Sequence, residues 1–358
     1  MSYCINPWCP NRENPDTCDR CQTCETPLVL EGRYRLIRPL REPDEWEPSE
    51  IFEVDDQGHT KVLKVLKKPI LLPLFEREAT TLQHLKHPGI PQVEPDGYFP
   101  FQLVDGRQLH CLVMENIQGV NLDVWLQKHG SVDQATAVDW MRQLVDLLAQ
   151  LHKAELFHRD IKLSNIMLRS TGQLALIDFG TVRPMTSTYF AKVASQRDIT
   201  SVVSPGYTPL EQINGRAVPQ SDFYALGRSF VYLLTGQHPI DLPEDETTGQ
   251  LKWRDRTEHP VADWFAQLLD DMTAPFPGQR PLNAEVLLDR LQKQQFKRFN
   301  WSEKQQLRLL AIANVGLLLL QLWIGWQWMS ARQQLKEKTR RLGTAELPTE
   351  LLITSSHQ

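Results

Sequence analysis

Four polar side chains with complementary chemistry occur close together in the middle of the chain. Asp160, Lys162 and Asn165 form a short group, and Asp178 follows after an apolar run. A carboxylate such as Asp160 can accept the proton of a hydroxyl group and orient its oxygen towards phosphorus. Asn165 and Asp178 offer the hard oxygen ligands that Mg²⁺ prefers, and Lys162 is a mobile charge that can reach a phosphoryl group. This spacing predicts phosphoryl transfer from a Mg-nucleotide.

The two motifs that carry these residues are specific. The first runs from His158 to Asn165 (His-Arg-Asp-Ile-Lys-Leu-Ser-Asn), and the second is Asp178-Phe179-Gly180. They match the protein kinase signature, with Ile161 where the pattern has leucine. At these residues the chain resembles the eukaryotic-type protein kinase family. The resemblance implies ATP and Mg²⁺, and Lys162, two residues after the catalytic aspartate, is similar to the serine/threonine class rather than the tyrosine class.

The patterns around these motifs predict the elements that position them. Antiparallel strands are predicted over 34–37, 51–54, 61–66 and 108–115, and a helix over 74–86. Beyond Asn121 the pattern turns helical, and Ser131 with Gln134 predicts a capping box at the start of the helix that leads to His158. The resemblance implies an α+β, bilobal protein-kinase fold, with a β-rich small lobe and a helical large lobe.

A kinase also needs a strand lysine that holds the α- and β-phosphates and a helix glutamate that pairs with it. Lys64 lies at the centre of a strand-like run and fits the first position. Glu78 and Glu76 both lie in the following predicted helix. Glu78 shares the face of Phe75 and Leu82, so it is preferred over Glu76, which points away.

The segment after the predicted strand at 108–115 resembles the connection between the two lobes. By resemblance, Met114 is the gatekeeper, and the Glu115 carbonyl and the Ile117 amide hydrogen-bond adenine. An edge strand that leaves the sheet would have the same local pattern.

Residues 181–211 resemble an activation segment. The resemblance gives Ser204 the place of the threonine that contacts the catalytic aspartate, pairs Glu211 with Arg280, and makes Asp222 the anchor of the catalytic loop. Arg159 suggests that phosphorylation of this segment orders the site. The candidate phosphorylation sites are Thr188, Ser195, Thr200 and Ser201.

One stretch departs from the family pattern. Kinases cover the phosphates with a glycine-rich hairpin, whereas residues 41–50 here contain no glycine, two prolines and five carboxylates. Carboxylates near a polyphosphate oppose its binding. The stretch therefore leaves two alternatives, a kinase that tolerates the loop or a pseudokinase scaffold with weak or no ATP binding.

Five of the six cysteines lie within the first 24 residues. Cys4, Cys9, Cys21 and Cys24 form two pairs whose thiolates suit tetrahedral Zn²⁺, although Cys18 with Cys21 is an equally good pair. With the kinase motifs, this cluster resembles the cyanobacterial-type kinases with an N-terminal cysteine motif, and it is the first four that match that family. Glu25 departs from the family, which has glycine after the last cysteine. A structural zinc site is the first prediction, and a redox-switchable cluster and inert thiols are the alternatives.

The C-terminal part contains an apolar, uncharged run over 309–329 that is long enough to span a bilayer. Trp323, Trp326 and Trp328 cluster at one end, as interface residues do. A surface-lying or core helix is the alternative. Basic residues flank both ends, so ATP use, rather than charge asymmetry, predicts a cytoplasmic kinase domain on a single-pass cell-membrane protein.

These interpretations divide the chain into a zinc-ribbon-like cysteine motif (1–30), a protein kinase domain (33–292), a basic juxtamembrane linker (293–308), a transmembrane helix (309–329) and a polar tail (330–358). The net charge of −5 does not favour nucleic acid as a partner. The predicted partners are ATP, protein substrates, the membrane and a second copy for trans-autophosphorylation. A kinase and a scaffold are two possibilities. A third is that the ribbon is the functional module and the kinase lobe only transmits its state.

Overall fold

The computed structural model describes residues 1–44, 46–184 and 203–342. The chain divides into two compact units, 1–291 and 292–358. The candidate phosphorylation sites Thr188, Ser195, Thr200 and Ser201 lie outside the described residues, as do Glu45 and the end of the polar tail from residue 343.

The first unit begins with a small ribbon that leads into a six-stranded sheet. In the ribbon, strand β1 (Ser2–Tyr3) pairs antiparallel with β2 (Glu13–Asn14). The strands of the larger sheet are β3 (Val29–Leu30), β4 (Tyr34–Pro39), β5 (Ser49–Asp56), β6 (His59–Leu66), β7 (Tyr98–Gln102) and β8 (Gln108–Glu115). Their order in the sheet is β3-β4-β5-β6-β8-β7, with every neighbouring pair antiparallel. All four predicted strand runs are confirmed.

Helix α1 (Leu72–His84) begins and ends two residues earlier than predicted and packs on the small lobe through Phe75, Glu78 and Leu82. The large lobe is mainly helical. Its helices are α2 (Leu122–His129), α3 (Gln134–Lys153), α4 (Leu210–Ile213), α5 (Pro219–Thr235) and α6 (Asp263–Met272). Its short strands are β9 (Gly119–Asn121), β10 (Leu156–Phe157), β11 (Ile166–Arg169), β12 (Leu174–Leu176) and β13 (Arg183–Pro184). The α+β, two-lobed fold is confirmed.

The predicted capping box at the start of α3 is wrong. Asp133 is the N-cap, and its carboxylate accepts a hydrogen bond from the Thr136 amide. The Ser131 hydroxyl instead donates to Glu258, which lies 127 residues later in the chain. Both side chains can cap a helix, and the distant partner decides which of them does.

The first unit has two large apolar cores among its described residues. The small-lobe core lies on one face of the sheet and includes Phe52, Leu63 and Val65 together with Ile5 from the ribbon. The ribbon is therefore part of the packing of the small lobe, because its own residue fills that core. The larger core is built on α3, α5 and α6. It also includes three residues of α1, namely Phe75, Ala79 and Leu82.

The last helix, α7 (Ala284–Leu342), begins in the first unit, where Ala284, Leu287 and Leu291 are buried. In the second unit its described apolar side chains between Leu310 and Leu335 are exposed. By length and composition, Leu310–Lys338 could cross a membrane.

Candidate active site

The catalytic loop lies between β10 and β11, and helix α5 anchors its backbone. The amides of His158 and Arg159 donate hydrogen bonds of 2.9 and 2.8 Å to the carboxylate of Asp222, which is fully buried in α5. Arg159 adopts a left-handed φ of 73°, a conformation that a non-glycine residue rarely keeps without such support. The anchor that the sequence predicted for Asp222 is present.

Asp160 is the centre of a dense polar network. The side-chain amide of Asn165 donates to the Asp160 carbonyl oxygen and to Oδ2, both at 2.9 Å. The Lys162 ammonium lies 2.9 Å from Oδ2, and the Ser204 hydroxyl donates to Oδ1 at 2.7 Å. Lys162 also donates to Ser204 at 3.1 Å. The carboxylate is thus fixed in place by residues from two segments that lie about 40 positions apart.

Asp178 belongs to a second cluster, formed with Lys64 on β6 and Glu78 on α1. The Lys64 ammonium lies 2.8 and 2.9 Å from the two Glu78 oxygens and 3.0 Å from Asp178 Oδ1. Glu76 is not part of this cluster, and its carboxylate accepts a hydrogen bond from Tyr98 instead. The preference for Glu78 over Glu76 agrees with this geometry.

The electrostatics of this cluster follow from its burial. The positive charge of Lys64 holds the pKa of Asp178 well below its ordinary range. Burial raises the pKa of Glu78, although Lys64 partly offsets the effect. Burial opposes the charge on Lys64, but the two carboxylates outweigh it and raise its pKa. Asp178 is therefore anionic and suited to bind a cation.

Gly180 lies close in space to this cluster. A Cβ atom at this position would lie 3.2 Å from both Glu78 Oε2 and Lys64 Nζ. With a side chain at this position, the Lys64–Glu78 ion pair would have to shift by a few tenths of an ångström. The position therefore favours glycine.

The residues suited to hold Mg²⁺ are adjacent. The Ile177 amide donates to the Asn165 carbonyl oxygen at 2.8 Å, so Asn165 lies next to the residue that precedes Asp178. An amide and an anionic carboxylate at this point are the donor types that Mg²⁺ accepts. The two clusters are thus joined at the predicted metal ligands.

Glu115 and Ile117, the predicted adenine contacts, lie where the small lobe connects to the large one. Glu115 is the last residue of β8; its amide donates to the Gln92 carbonyl oxygen, and its carboxylate binds Arg169 at 2.7 Å. Ile117 is buried two residues further along.

The predicted pair at the far end of the activation segment is present. Arg280 donates to the Glu211 carboxylate at 2.6 and 3.3 Å, and Glu211 also accepts from Ser221. Arg280 further binds the carbonyl oxygen of Ala274. This buried pair holds the segment after Ser204 against α5.

The connection between β4 and β5, residues 40–48, occupies the place of the glycine-rich loop, and we call it the β4–β5 loop. Sequence reasoning grouped the adjoining Glu50 with the carboxylates that oppose a polyphosphate, and this is wrong for Glu50. Glu50 pairs with Val65 across the sheet, whereas Ile51 pairs with Lys64. Since successive strand residues point to opposite faces, Glu50 faces away from Lys64.

Two arginines near this loop were missed. Arg12 of the ribbon binds the Glu50 carboxylate at 2.8 Å. Arg41 lies near enough to Asp178 for its charge to lower the pKa of that carboxyl, after the larger effects of Lys64 and burial. Arg41 thus adds positive charge where the sequence predicted only negative charge. The available signal was the basic residue Arg41, two positions after the end of β4.

The ribbon brings together the four cysteines that match the family pattern. The sulfurs of Cys4, Cys9, Cys21 and Cys24 all lie within 4.8 Å of one another, with Cys4–Cys24 at 3.6 Å and Cys9–Cys21 at 3.7 Å. A tetrahedral zinc site with Zn–S bonds of about 2.3 Å has sulfur–sulfur edges of roughly 3.8 Å. The four thiols fit such a site, and Cys18 is not in the group.

The clustered cysteines differ in pKa. Burial raises the pKa of Cys4 and of Cys9. Burial also acts to raise the pKa of Cys24, but hydrogen bonds to Thr26 and to two cysteines outweigh it and lower this pKa to about 6. Glu25, at the position of the family's glycine, has a left-handed φ of 54°. The ribbon therefore keeps the backbone conformation that glycine would favour.

Comparison with known proteins gives a consistent result. A family model described as the protein kinase domain matches residues 54–306. Serine/threonine-protein kinase B of Synechocystis sp. is 32% identical over 306 residues, which cover 82% of this chain and 52% of that protein. Serine/threonine-protein kinase F of the same organism is 32% identical, covering 80% and 62%. Serine/threonine-protein kinase PknA of Nostoc sp. is 34% identical, covering 74% and 48%. The chain spans about half to three fifths of the length of these relatives.

Proposed function

The chain belongs to the protein kinase family, and from this premise we propose that it transfers the γ-phosphoryl group of ATP to serine or threonine hydroxyls of proteins. One observation carries the proposal. Lys64, Glu78 and Asp178 meet in one buried ion cluster, and Asn165 links it to the network of Asp160. The meeting of residues from four separate stretches of the chain supports the proposal.

Each residue has a distinct role in this proposal. Asp160 accepts the proton of the substrate hydroxyl, and Lys162 stabilises the charge on the transferring phosphoryl group. Lys64, held by Glu78, positions the α- and β-phosphates, and the backbone at Glu115 and Ile117 binds adenine. Mg²⁺, when bound to Asn165 and Asp178, neutralises the phosphate charge. Catalysis is then mainly positioning and electrostatic stabilisation.

The scaffold alternative is not favoured. It rested on the five carboxylates of residues 41–50, but Glu50 in β5 faces away from Lys64, and the charge of Arg41 lowers the pKa of Asp178. The relatives named above are serine/threonine-protein kinases. Both facts support retained chemistry.

The test is Mg-ATP-dependent phosphate incorporation by the full chain in detergent, with Asp160→Asn and Asp178→Ala as inactive variants. Asp105→Asn, in the exposed turn after β7, is the matched control. We expect both active-site variants to abolish incorporation and the control to retain it. Incorporation that survives both substitutions, or none by the unmodified chain together with no thermal shift by Mg-ATP, would overturn the proposal.

We also propose that Cys4, Cys9, Cys21 and Cys24 hold a structural Zn²⁺. The sulfur geometry and the small size of the ribbon support this, because so short a piece needs a metal or a comparable link to fold. Metal analysis should find one zinc ion per chain, lost in Cys21→Ser and kept in Cys18→Ser. Equal loss in both variants, or no zinc in the reduced chain, would favour the redox or inert-thiol alternative.

We propose further that the helix over 309–329 anchors the chain in the cell membrane, with the kinase domain in the cytoplasm where ATP is available. The length and composition of Leu310–Lys338 support this. Alkaline carbonate should fail to extract the chain from membranes. Homodimerisation for trans-autophosphorylation, phosphorylation of the activation segment and the identity of the protein substrates stay predictions.

A further inference from the structure

Arg12 connects the ribbon to the small-lobe sheet. Its guanidinium donates to the carbonyl oxygens of Cys4 at 2.8 Å and Ile5 at 3.3 Å, and to the Glu50 carboxylate at 2.8 Å. The same guanidinium lies over the rings of Tyr3 and Phe52, with its carbon 4.8 and 5.3 Å from their centroids. The Arg12 and Glu50 side chains are only 9% and 7% exposed. This pair is therefore held on several sides and shielded from water.

The contacts continue from Glu50 into the β4–β5 loop. The Lys67 ammonium lies 3.7 Å from Glu50 Oε1 and donates to the Asp44 carbonyl oxygen at 2.5 Å. The Lys67 amide donates to the Pro48 carbonyl oxygen at 2.8 Å, and Lys68 binds the carbonyl oxygen of Trp46. A chain of polar contacts thus runs from the backbone of two cysteine-ribbon residues to the loop.

The β4–β5 loop contains no glycine. A glycine-rich hairpin places its amides at the phosphates by its own close backbone approach, which a loop with Pro43 and Pro48 does not reproduce. Here the loop is held from outside, by Lys67 and Lys68 at its carbonyl oxygens and by Glu50 at its base. Glu50 is followed by Ile51, which pairs with Lys64 of the proposed nucleotide site. The base of the loop therefore lies directly next to the strand position that pairs with Lys64.

We propose that Arg12 is a positioning residue through which the ribbon fixes the β4–β5 loop over the nucleotide. The inference rests on the proposed function, since it assigns the loop to ATP. It makes the ribbon a required part of the nucleotide site. Loss of Arg12 leaves the buried Glu50 with only the longer contact to Lys67 and loosens the base of the loop.

The experiment compares Arg12→Met, Arg12→Lys and the control Arg35→Met in the full chain. Arg35 is a fair control because it also joins the ribbon, donating to the Ser2 hydroxyl and the Cys18 carbonyl oxygen, with no contact to the β4–β5 loop among the described hydrogen bonds. We expect Arg12→Met to raise the KM for Mg-ATP about five-fold or more, with little change in kcat. Arg12→Lys should restore part of the affinity, and Arg35→Met should leave the KM unchanged.

A second measurement needs no catalysis. Hydrogen–deuterium exchange of peptides from the β4–β5 loop should be faster in Arg12→Met than in Arg35→Met, with zinc content equal in the two. Glu50→Gln, which keeps the size of the side chain, should give the same result if Arg12→Met fails to fold. Unchanged exchange in the loop, or equal KM effects in Arg12→Met and Arg35→Met, would overturn the inference. A chain without any phosphate incorporation would instead overturn the proposed function, and loop exchange would still test the role of Arg12.

Discussion

Two buried ion pairs lie on opposite faces of the same two strands, β5 and β6. On one face, Lys64 meets Glu78 and Asp178. On the other face, one residue along the ladder, Glu50 meets Arg12. Both pairs consist of a cation and a carboxylate removed from water, and both join segments that are distant in sequence.

The surroundings give these two pairs different tasks. Lys64 lies between two carboxylates, one of which, Asp178, is also partly open to solvent, so the cluster can receive a Mg-nucleotide. Arg12 is covered by the aromatic rings of Tyr3 and Phe52 and by backbone carbonyl oxygens. Its positive charge therefore interacts with groups of the protein itself. Under the two proposals, the same kind of interaction serves catalysis on one face and positioning on the other, and the difference is that Asp178 is partly open to solvent.

The largest effect is expected on the face of the sheet that carries Lys64. In Lys64→Met, Glu78 and Asp178 lose their shared cation, and Glu78, which is 2% exposed, becomes an unpaired buried acid whose pKa rises further. We expect phosphate incorporation to fall roughly 10²-fold or more. Lys61→Met, on the same strand but more exposed, is the control for the loss of a lysine. Similar activity in the two variants would contradict the proposed role of Lys64.

An intermediate effect is expected from a double-mutant cycle on the Arg12–Glu50 pair. Arg12→Met and Glu50→Leu should each destabilise the chain by about 3–5 kcal/mol, because each leaves a buried charge without its main partner. The double variant should recover part of this loss, since neither member of the pair is then left alone, although the Lys67 ammonium also loses its contact with Glu50. Unfolding free energies measure the cycle, and simple additivity would show that the two charges do not interact.

The same cycle at Lys64 and Glu78 would sharpen the contrast between the faces. Replacing both of these residues by apolar ones should also recover stability, but phosphate incorporation should stay lost.

The smallest effect is expected at an exposed ion pair at the other end of β6. Glu94 accepts from Lys61 at 2.6 Å and from Arg33 at 2.8 Å, but its side chain is 44% exposed. We expect Glu94→Gln to cost less than about 1 kcal/mol and the cost to shrink at high salt. A larger cost, independent of salt, would mean that burial is not what separates this pair from the two buried ones.

The pH dependence of Glu94→Gln follows from the pKa of Glu94. Hydrogen bonds from Lys61 and then Arg33 lower this pKa in the folded state. The stabilisation is therefore present above the unfolded value of about 4.3 and is lost as the pH falls through the lower folded pKa. The difference in unfolding free energy between the unmodified chain and Glu94→Gln should be constant above about pH 4.3. It should vanish at pH values below the folded pKa of Glu94.

Sequence reasoning identified the residues of the Lys64–Glu78–Asp178 cluster but not those of the Arg12–Glu50 pair. Lys64 and Asp178 lie within recognisable motifs, and helical spacing separated Glu78 from Glu76. Nothing comparable marks Arg12, which lies 38 residues before Glu50 in a ribbon with little regular structure. The sequence did not show which face of the sheet Glu50 occupies. The reason is that the proline-containing stretch before β5 gives no pattern from which the first residue of the strand can be located.

The sequence by itself determined the class of fold, the motifs of the catalytic loop and the grouping of the four cysteines, because these depend on residue types at short, fixed spacings. Only the tertiary structure decided which face Glu50 occupies, that Asp133 rather than Ser131 caps α3, and that the ribbon packs into the small-lobe core through Ile5. Each of these outcomes is selected by a partner that is distant in sequence, and its free energy depends on burial that no local pattern encodes.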